Sequence, residues 1–204
     1  MRHNFLLALL LAMPVYINAQ TAKDLFAALP DSLLPALTLN DRLDCIDFIE
    51  NGLTNEVTTR FGGKTRLTQL TPTMLRLQLS EHSDFQLALL RSADSTVVAI
   101  AHSVSIDGAW DTAVRTYTTR WTPLPSEPFI TVPPVSQFMP QPADMSDTDY
   151  QNRLALTDQP LIRIEFVANE QTPDASPSMH FTLSSTNAAD SQYKEKCQPL
   201  IREL

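Results

Sequence analysis

The side chains in this sequence that could carry acid–base or metal chemistry are mostly carboxylates, and they fall into two groups. One group recurs every three residues along a single segment: Asp41, Asp44, Asp47 and Glu50. The other group is Asp144, Asp147 and Asp149. Two converging carboxylates can act as general acid and base, and several oxygen ligands can hold calcium. The first group fits the solvated face of a helix, however, and the second lacks the glycine and the distal glutamate of a calcium loop.

Histidines, serines and glycines offer no reactive motif. His82, His102 and His180 do not have metal-ligand spacing, and no serine lies in a G-x-S-x-G or S-x-x-K motif. The run Gly62-Gly63-Lys64-Thr65 resembles the end of a phosphate-binding loop, but Thr58 stands where that loop needs its first glycine. We interpret the run as a hairpin turn. The sequence predicts no catalytic residue, no metal site and no cofactor, and it favours a protein that is not an enzyme.

Cys45 and Cys197 are the two cysteines of the chain. In an oxidising compartment such a pair can form a disulfide, and the chain-entropy model gives about 5 kcal/mol as the upper bound for so long a loop. Two buried free thiols are the alternative, because cysteine is among the most buried residue types. The sequence leaves both possibilities open.

Three aromatic residues, Trp110, Tyr117 and Trp121, are the candidates for a ligand-binding or partner-binding surface. They cluster around one predicted strand, on which Tyr117 and Trp121 share a face. Packing of the same rings against neighbouring elements is the alternative, since large aromatic side chains dominate protein cores.

The first 19 residues have the layout of a cleavable secretory signal. A short basic start is followed by an apolar run from Phe5 to Met13, then by Pro14 and by Ile17-Asn18-Ala19 before a cleavage point after Ala19. The apolar run is too short to span a bilayer, which takes about 20 residues. We therefore expect a periplasmic or secreted protein without a membrane span in its mature form.

The mature chain, residues 20–204, is acidic: its 14 Lys and Arg stand against 23 Asp and Glu, for a net charge of −9. Nucleic acids and anionic membranes bind through clustered cations, so this charge disfavours them as partners. The partner that we expect is an envelope or extracellular protein or ligand.

The apolar pattern predicts an α+β fold. Helical spacing covers residues 21–29 and 39–51, the second with Asn40 or Asp41 as its cap and Gly52 as its end. The pattern then alternates with a period of two over four strands: 75–79, 85–89, 98–106 and 113–121. Because polar turns of a few residues join them, the strands form an antiparallel meander, and the two helices should cover its apolar face.

The C-terminal part is separated from this sheet by a proline-rich stretch, residues 123–142, which we interpret as a connecting arm without strands. A smaller αββα unit follows over 143–204, with helices over 146–156 and 188–197. Residues 20–204 are expected to form one domain, with possible sub-units 20–122 and 143–204. Residues 156–166 echo residues 70–79, which is compatible with a duplicated sheet unit.

Several short runs of the mature N-terminal half resemble a family of secreted Bacteroidetes proteins that is defined only as a domain of unknown function. The matching runs are Phe26, Leu29–Pro35, Asn40–Asp44, Asp47-Phe48, Leu70-Thr71, Leu89-Leu90 and Tyr117–Trp121. The resemblance covers about residues 24–125 and is weaker in the tail. It implies a periplasmic or surface setting in a Gram-negative bacterium, and it implies no activity or ligand.

Three functions are compatible with these features. The first is a non-catalytic binding or interaction module of the bacterial cell envelope, which the absence of a reactive constellation favours. The second is a secreted hydrolase whose paired carboxylates follow no motif, and the third is an inhibitor-like sheet protein, which depends on the duplication.

Overall fold

The structure is a computed structural model that describes residues 20–91, 95–157, 160–185, 196–197 and 200–204. The predicted leader, residues 1–19, lies outside the described residues. So does nearly all of the helix predicted over 188–197, of which only residues 196 and 197 are described.

Two helices start the described chain: α1 (Ala22–Ala27) and α2 (Leu39–Glu50). Each begins at a threonine whose hydroxyl accepts a hydrogen bond from the backbone of an aspartate three residues on. The pairs are Thr21 with Asp24 and Thr38 with Asp41, and both are reciprocal capping boxes. The predicted cap of α2 at Asn40 or Asp41 was therefore wrong, because Thr38 is the cap and Asp41 is its capping-box partner.

Seven strands follow in a simple up-and-down order and form one antiparallel sheet: β1 (Val57–Thr58), β2 (Lys64–Leu70), β3 (Met74–Ser80), β4 (Ser83–Arg91), β5 (Thr96–Ile106), β6 (Ala109–Thr118) and β7 (Pro123–Leu124). The predicted meander is confirmed. The α+β class is confirmed as well.

The helices cover one face of the sheet, as predicted. Leu25 and Phe26 of α1 are fully buried there against Phe85, Leu87 and other apolar residues of β3–β5. Phe26 and Phe85 have ring centroids 6.3 Å apart. Alternate residues of the strands point to this face, which is why the leucine and phenylalanine spacing of the sequence has a period of two.

The opposite face is buried too, which the sequence analysis did not predict. The cover is a hairpin of β8 (Pro160–Val167) and β9 (Ser178–Ser185), together with α3 (Val135–Phe138), α4 (Asp147–Ala155) and the C-terminal residues. On the sheet side this second core is lined largely by alanines, Ala88, Ala99 and Ala101. Small side chains let the hairpin approach the sheet closely, and Phe166 of β8 is fully buried there.

The proline-rich stretch is part of the second core, so its interpretation as a plain connecting arm needs correction. Ile130, Phe138 and Met139 are buried against the sheet and hairpin. Its first two residues also form β7, which pairs with Thr116 and Tyr117 at the edge of the sheet. Proline is tolerated on an edge strand, where its missing N–H removes no bond inside the sheet.

Within the described residues, no helix is long and apolar enough to cross a membrane. The longest, α2, has 12 residues.

A charge clamp ties the loop before α2 to the rest of the N-terminal half. Arg42 is buried in α2, where its guanidinium donates hydrogen bonds to the Leu37 carbonyl oxygen and to Asp31, both at 3.0 Å. Arg60 donates to the other oxygen of the Asp31 carboxylate at 2.8 Å. Hydrogen bonds from Arg42, and then from Arg60, lower the pKa of Asp31 from its usual value.

Because of these ion pairs, we expect the stability of the fold to decrease at acidic pH. A carboxyl group whose pKa is lowered by folding stabilises the fold above its unfolded-state pKa of 3.8 and loses that contribution as the pH falls through the lower folded value. We expect the melting temperature to fall below about pH 4 in the wild-type chain, and to fall less steeply in Asp31→Asn. Thermal melts between pH 6 and the acid limit check this, and parallel pH profiles of the two chains would contradict it.

Candidate functional site

The three aromatic residues singled out in the sequence lie on different sides of the sheet. Tyr117 is buried in the core under the helices, and its ring centroid lies 6.0 Å from that of Trp121. Trp110 is half-buried and lies under the guanidinium of Arg163 from β8, at 4.2 Å from the ring centroid. The structure therefore brings Tyr117 and Trp121 together and places Trp110 on the side of the hairpin.

Trp121 has a left-handed backbone conformation, with a φ of 66°. It lies in the turn between β6 and β7, where its N–H donates to the Thr118 carbonyl oxygen at 2.9 Å. This conformation is unfavourable for a residue with a Cβ, costing on the order of 1–2 kcal/mol. Packing of the half-buried indole against the core under the helices offsets that cost.

The two cysteines are not bridged. Cys45 is buried under α2 in the first core, and Cys197 is buried in the second core, so the sheet separates the two thiols. Burial raises the pKa of the Cys45 thiol to about 12, with a further contribution from Asp41 and Asp44. Burial also raises the pKa of Cys197. Of the two possibilities left open by the sequence, the structure has the two buried free thiols.

We therefore expect both thiols to resist labelling in the folded protein, because a thiol reacts as the thiolate and needs solvent access. With iodoacetamide at neutral pH, intact mass should show an unmodified native chain. Two labels should appear after unfolding in denaturant without reductant. A denatured chain that takes up no label until it is reduced would show a disulfide and contradict this structure.

Two carboxylates, Asp84 of β4 and Glu165 of β8, are brought together where the hairpin meets the sheet. Both contact the guanidinium of Arg163, at 3.1 and 3.2 Å, and Arg76 of β3 contacts Glu165 at 3.1 Å. Burial raises the pKa of Asp84, while the positive charges of Arg163 and Arg76 act in the opposite direction.

This charge cluster fastens the hairpin to the sheet. Next to it, the buried amide of Gln86 accepts a hydrogen bond from the Phe166 N–H at 2.8 Å and donates to the Ile164 carbonyl oxygen at 3.4 Å. Four depressions in the described surface lie along β2 and beside α4, and neither Asp84 nor Glu165 lines any of the four. The pair thus has the contacts of a structural ion-pair network rather than those of an open acid–base site.

This cluster was not predicted from the sequence. Its signal was present, since Arg76, Arg163 and Glu165 alternate with apolar residues in the two segments that echo one another. When only one face of the sheet is expected to be covered, the polar residues of the other face are predicted to be exposed to solvent. In the structure the polar positions of β3 and β8 face each other instead.

Three of the four depressions follow β2, with volumes of about 350, 330 and 420 Å³. The first two lie between the helices and β2, and the third lies at the end of β2 near the turn between β3 and β4. The apolar lining of the first two comes mainly from Cys45, Phe48, Ile49, Leu53, Leu67 and Leu70, whereas the third is lined by polar and charged residues.

The backbone of β2 is only partly paired on this side. β1 pairs with Lys64 and Thr65, so the rest of β2 has no strand neighbour there within the described chain. Helix α2 packs against that edge instead, and the Leu67 N–H is directed at the Cys45 thiol. Covering an open edge with a helix is a common protection against strand pairing.

Large apolar side chains are exposed on α2, on the segment after it, where Leu53 lines the second depression, and in the turn that leads into β2. Leu39 and Leu43 of α2 and Leu53 after it are each nearly half exposed, and Phe61 in the turn between β1 and β2 is 76% exposed. Leu39 and Leu43 are four residues apart and therefore share a helix face. We call these four residues and the three depressions the β2 side.

Comparison with known proteins places the chain among proteins of unknown function. A solved domain of an uncharacterized protein from Porphyromonas gingivalis W83 has the same fold, with a TM-score of 0.67 and 20% identity over 89% of this chain and 90% of that chain. No curated protein matches. The family model described as "Protein of unknown function (DUF3256)" matches residues 14–204, so the match includes the tail in which the resemblance was weaker. The chain belongs to this family, which confirms the resemblance to a domain of unknown function.

Proposed function

We propose that the mature protein is a non-catalytic interaction module of the bacterial cell envelope and that its contact surface is the β2 side. One observation supports this choice above the others: three depressions along β2 lie together with exposed apolar residues. Among these residues are Leu53, which lines the second depression, and Phe61 in the turn before β2, which is 76% exposed. Exposed apolar patches with a polar rim are typical of surfaces that bind other proteins. The envelope setting rests on the leader predicted in residues 1–19.

The alternatives have less support. A hydrolase would use Asp84 and Glu165, but both carboxylates contact Arg163 and neither lines any of the four depressions described above. An inhibitor-like duplicated sheet would depend on the echo between β3 and β8. Both strands open a hairpin, but β3 lies in a seven-stranded sheet and β8 in a two-stranded one. A binding role for Trp110, Tyr117 and Trp121 stays a prediction for a second surface.

Site-specific photo-crosslinking in the intact bacterium tests the proposal. A benzoylphenylalanine is placed at Leu53 on the β2 side, at Ile106 at the far end of β5, and at Gln151 on the exposed face of α4. Leu53 and Ile106 are both exposed apolar residues, 48% and 72% respectively, so they are matched in chemistry. We expect a discrete adduct from position 53 and none from position 151. No adduct from either 53 or 106 would contradict an interaction module.

A further inference from the structure

We infer that Phe61 anchors the binding of a partner protein to the β2 side. Its side chain enters an apolar pocket on that protein, and acidic residues surround the pocket. The inference rests on the proposed function and names the partner class for the same surface. It follows from the geometry of the turn between β1 and β2, from its charge, and from the charge of the rest of the chain.

The turn holds Phe61 outward on a rigid support. The Thr59 N–H donates to the Gly63 carbonyl oxygen at 2.8 Å, and the Gly62 N–H donates to the Thr59 carbonyl oxygen at 3.0 Å. Gly62 has a φ of 83°, a conformation that favours glycine and fixes the direction of the turn. Because hydrogen bonds already fix the backbone of the turn, binding has to order only the Phe61 side chain, which has two χ angles, and this favours its use as an anchor.

The base of the turn is tied to the N-terminal half at a second point. The Arg60 N–H donates to the Ala36 carbonyl oxygen at 2.9 Å, and the Arg60 guanidinium contacts Asp31 at 2.8 Å. The turn is therefore fixed relative to the start of α2, where Leu39 and Leu43 are also exposed. A partner that receives Phe61 would meet a surface of defined shape.

The chain segment that carries Phe61 has a net charge opposite in sign to that of the whole mature chain. Residues 57–80 contain Arg60, Lys64, Arg66 and Arg76 and no acidic residue, whereas residues 20–204 carry a net charge of −9. Arg60 and Lys64 contact Asp31 and Glu56, but Arg66 is exposed and has no acidic group within salt-bridge distance among the described residues. An acidic rim on the partner would pair with Arg66 and be repelled by most other parts of this protein, which would select this edge.

A protein pocket is favoured over an anionic membrane as the partner. Stable attachment to anionic lipid takes clusters of about 4–8 basic residues. Here the turn and the start of β2 carry three basic residues, Arg60, Lys64 and Arg66. The first two already contact carboxylates, and the remainder of the chain is strongly acidic. Vesicle binding is accordingly one of the outcomes that would overturn the inference.

The test uses the full chain in the bacterium with benzoylphenylalanine at position 61, which keeps an aromatic ring at the tip. We expect one protein adduct, whose yield falls about tenfold when Lys64→Glu and Arg66→Glu are added, since both charges on the rim are then reversed. Arg115→Glu on β6 is the matched control, another exposed arginine outside the β2 side, and it should leave the yield unchanged. Phe61→Ser should weaken the Leu53 adduct about tenfold without changing the melting temperature.

Each alternative result has a distinct meaning. An adduct at position 53 that survives Phe61→Ser and the charge reversal would overturn the Phe61 anchor and leave the proposed module intact. If none of positions 53, 61 and 106 gives an adduct, both the Phe61 anchor and the proposed interaction module are contradicted. Purified mature chain is also mixed with vesicles of equal parts phosphatidylglycerol and phosphatidylethanolamine. Sedimentation that depends on Phe61 would overturn the protein-partner class.

Discussion

Replacing Phe138 with alanine is expected to lower the free energy of unfolding by about 3–5 kcal/mol, the usual cost of removing a fully buried phenylalanine side chain. Phe138 lies in α3, within the proline-rich stretch, and its side chain is completely inaccessible to solvent in the second core. The substitution removes the ring and leaves a cavity between the sheet and its second cover. Urea unfolding of the purified mature chain measures the effect.

Phe129 provides the matched control within the same stretch. Phe129 is 36% exposed, whereas Phe138 is fully buried, so Phe129→Ala removes the same atoms from a site that is only partly covered. We expect a smaller loss of about 1–2 kcal/mol, because only part of the apolar surface of this side chain is buried. A loss of no more than about 0.5 kcal/mol for Phe138→Ala, the usual size of a surface effect, would mean that the stretch is a connecting arm after all, as its proline content suggests, and not part of the core.

The second large effect is expected for Gln86→Leu, which should cost about 2–4 kcal/mol. Gln86 is 1% exposed, and its amide satisfies two backbone groups of β8, the Phe166 N–H and the Ile164 carbonyl oxygen. Leucine has a similar volume but no polar atoms, so both backbone groups would be buried without a partner. Each such group costs on the order of 1–3 kcal/mol.

Gln78→Leu on β3 is the control for this substitution. Gln78 is only half-buried, and its amide has no hydrogen-bond partner in the part of the chain that the structure describes, so we expect a change of no more than about 0.5 kcal/mol. Hydrogen exchange adds a local readout, because Gln86→Leu should expose the amides of β8 while those of β4 and β5 stay protected. Unchanged protection in β8 would contradict the role of Gln86 in fastening the hairpin.

The sheet was predictable because its signal is local. Leu75, Leu77 and Leu79 alternate with more polar residues, and the short polar turns between strands exclude crossover helices. Strand ends were less predictable: Trp121 was assigned to a strand that ends at Thr118, because only tertiary contacts fix where a strand turns.

The second cover was not predictable in the same way. Its sheet-side residues are small, and alanine at Ala88, Ala99 and Ala101 gives no alternation signal, although each is fully buried. In the sequence, Gln86 and the residues around Arg163 also have the pattern of ordinary solvent-facing polar residues of a strand. Their partners lie about 80 residues away along the chain, and no local pattern reports so distant a contact.

The sequence predicted the kind of site, a non-catalytic binding surface, but not its position in the fold. The composition and the lack of catalytic and metal-binding motifs favoured a binding module. The aromatic residues then predicted a binding surface on the strand that carries Trp110 and Tyr117. Phe61 gave no such signal, since a single aromatic residue in a Gly-Gly turn reads as part of a hairpin. Its exposure becomes informative only beside the depressions along β2 and the acid-free stretch of residues 57–80.

The most direct test of the interaction surface compares the crosslink yield from position 61 with that from position 106 in the same cells. Phe61 and Ile106 are nearly equally exposed, 76% and 72%, and they lie in two different connections, β1–β2 and β5–β6, with β3 and β4 between the two hairpins in the strand order. If the β2 side is the contact surface, the adduct from position 61 should exceed that from position 106 several-fold. A stronger adduct from position 106 would contradict this assignment.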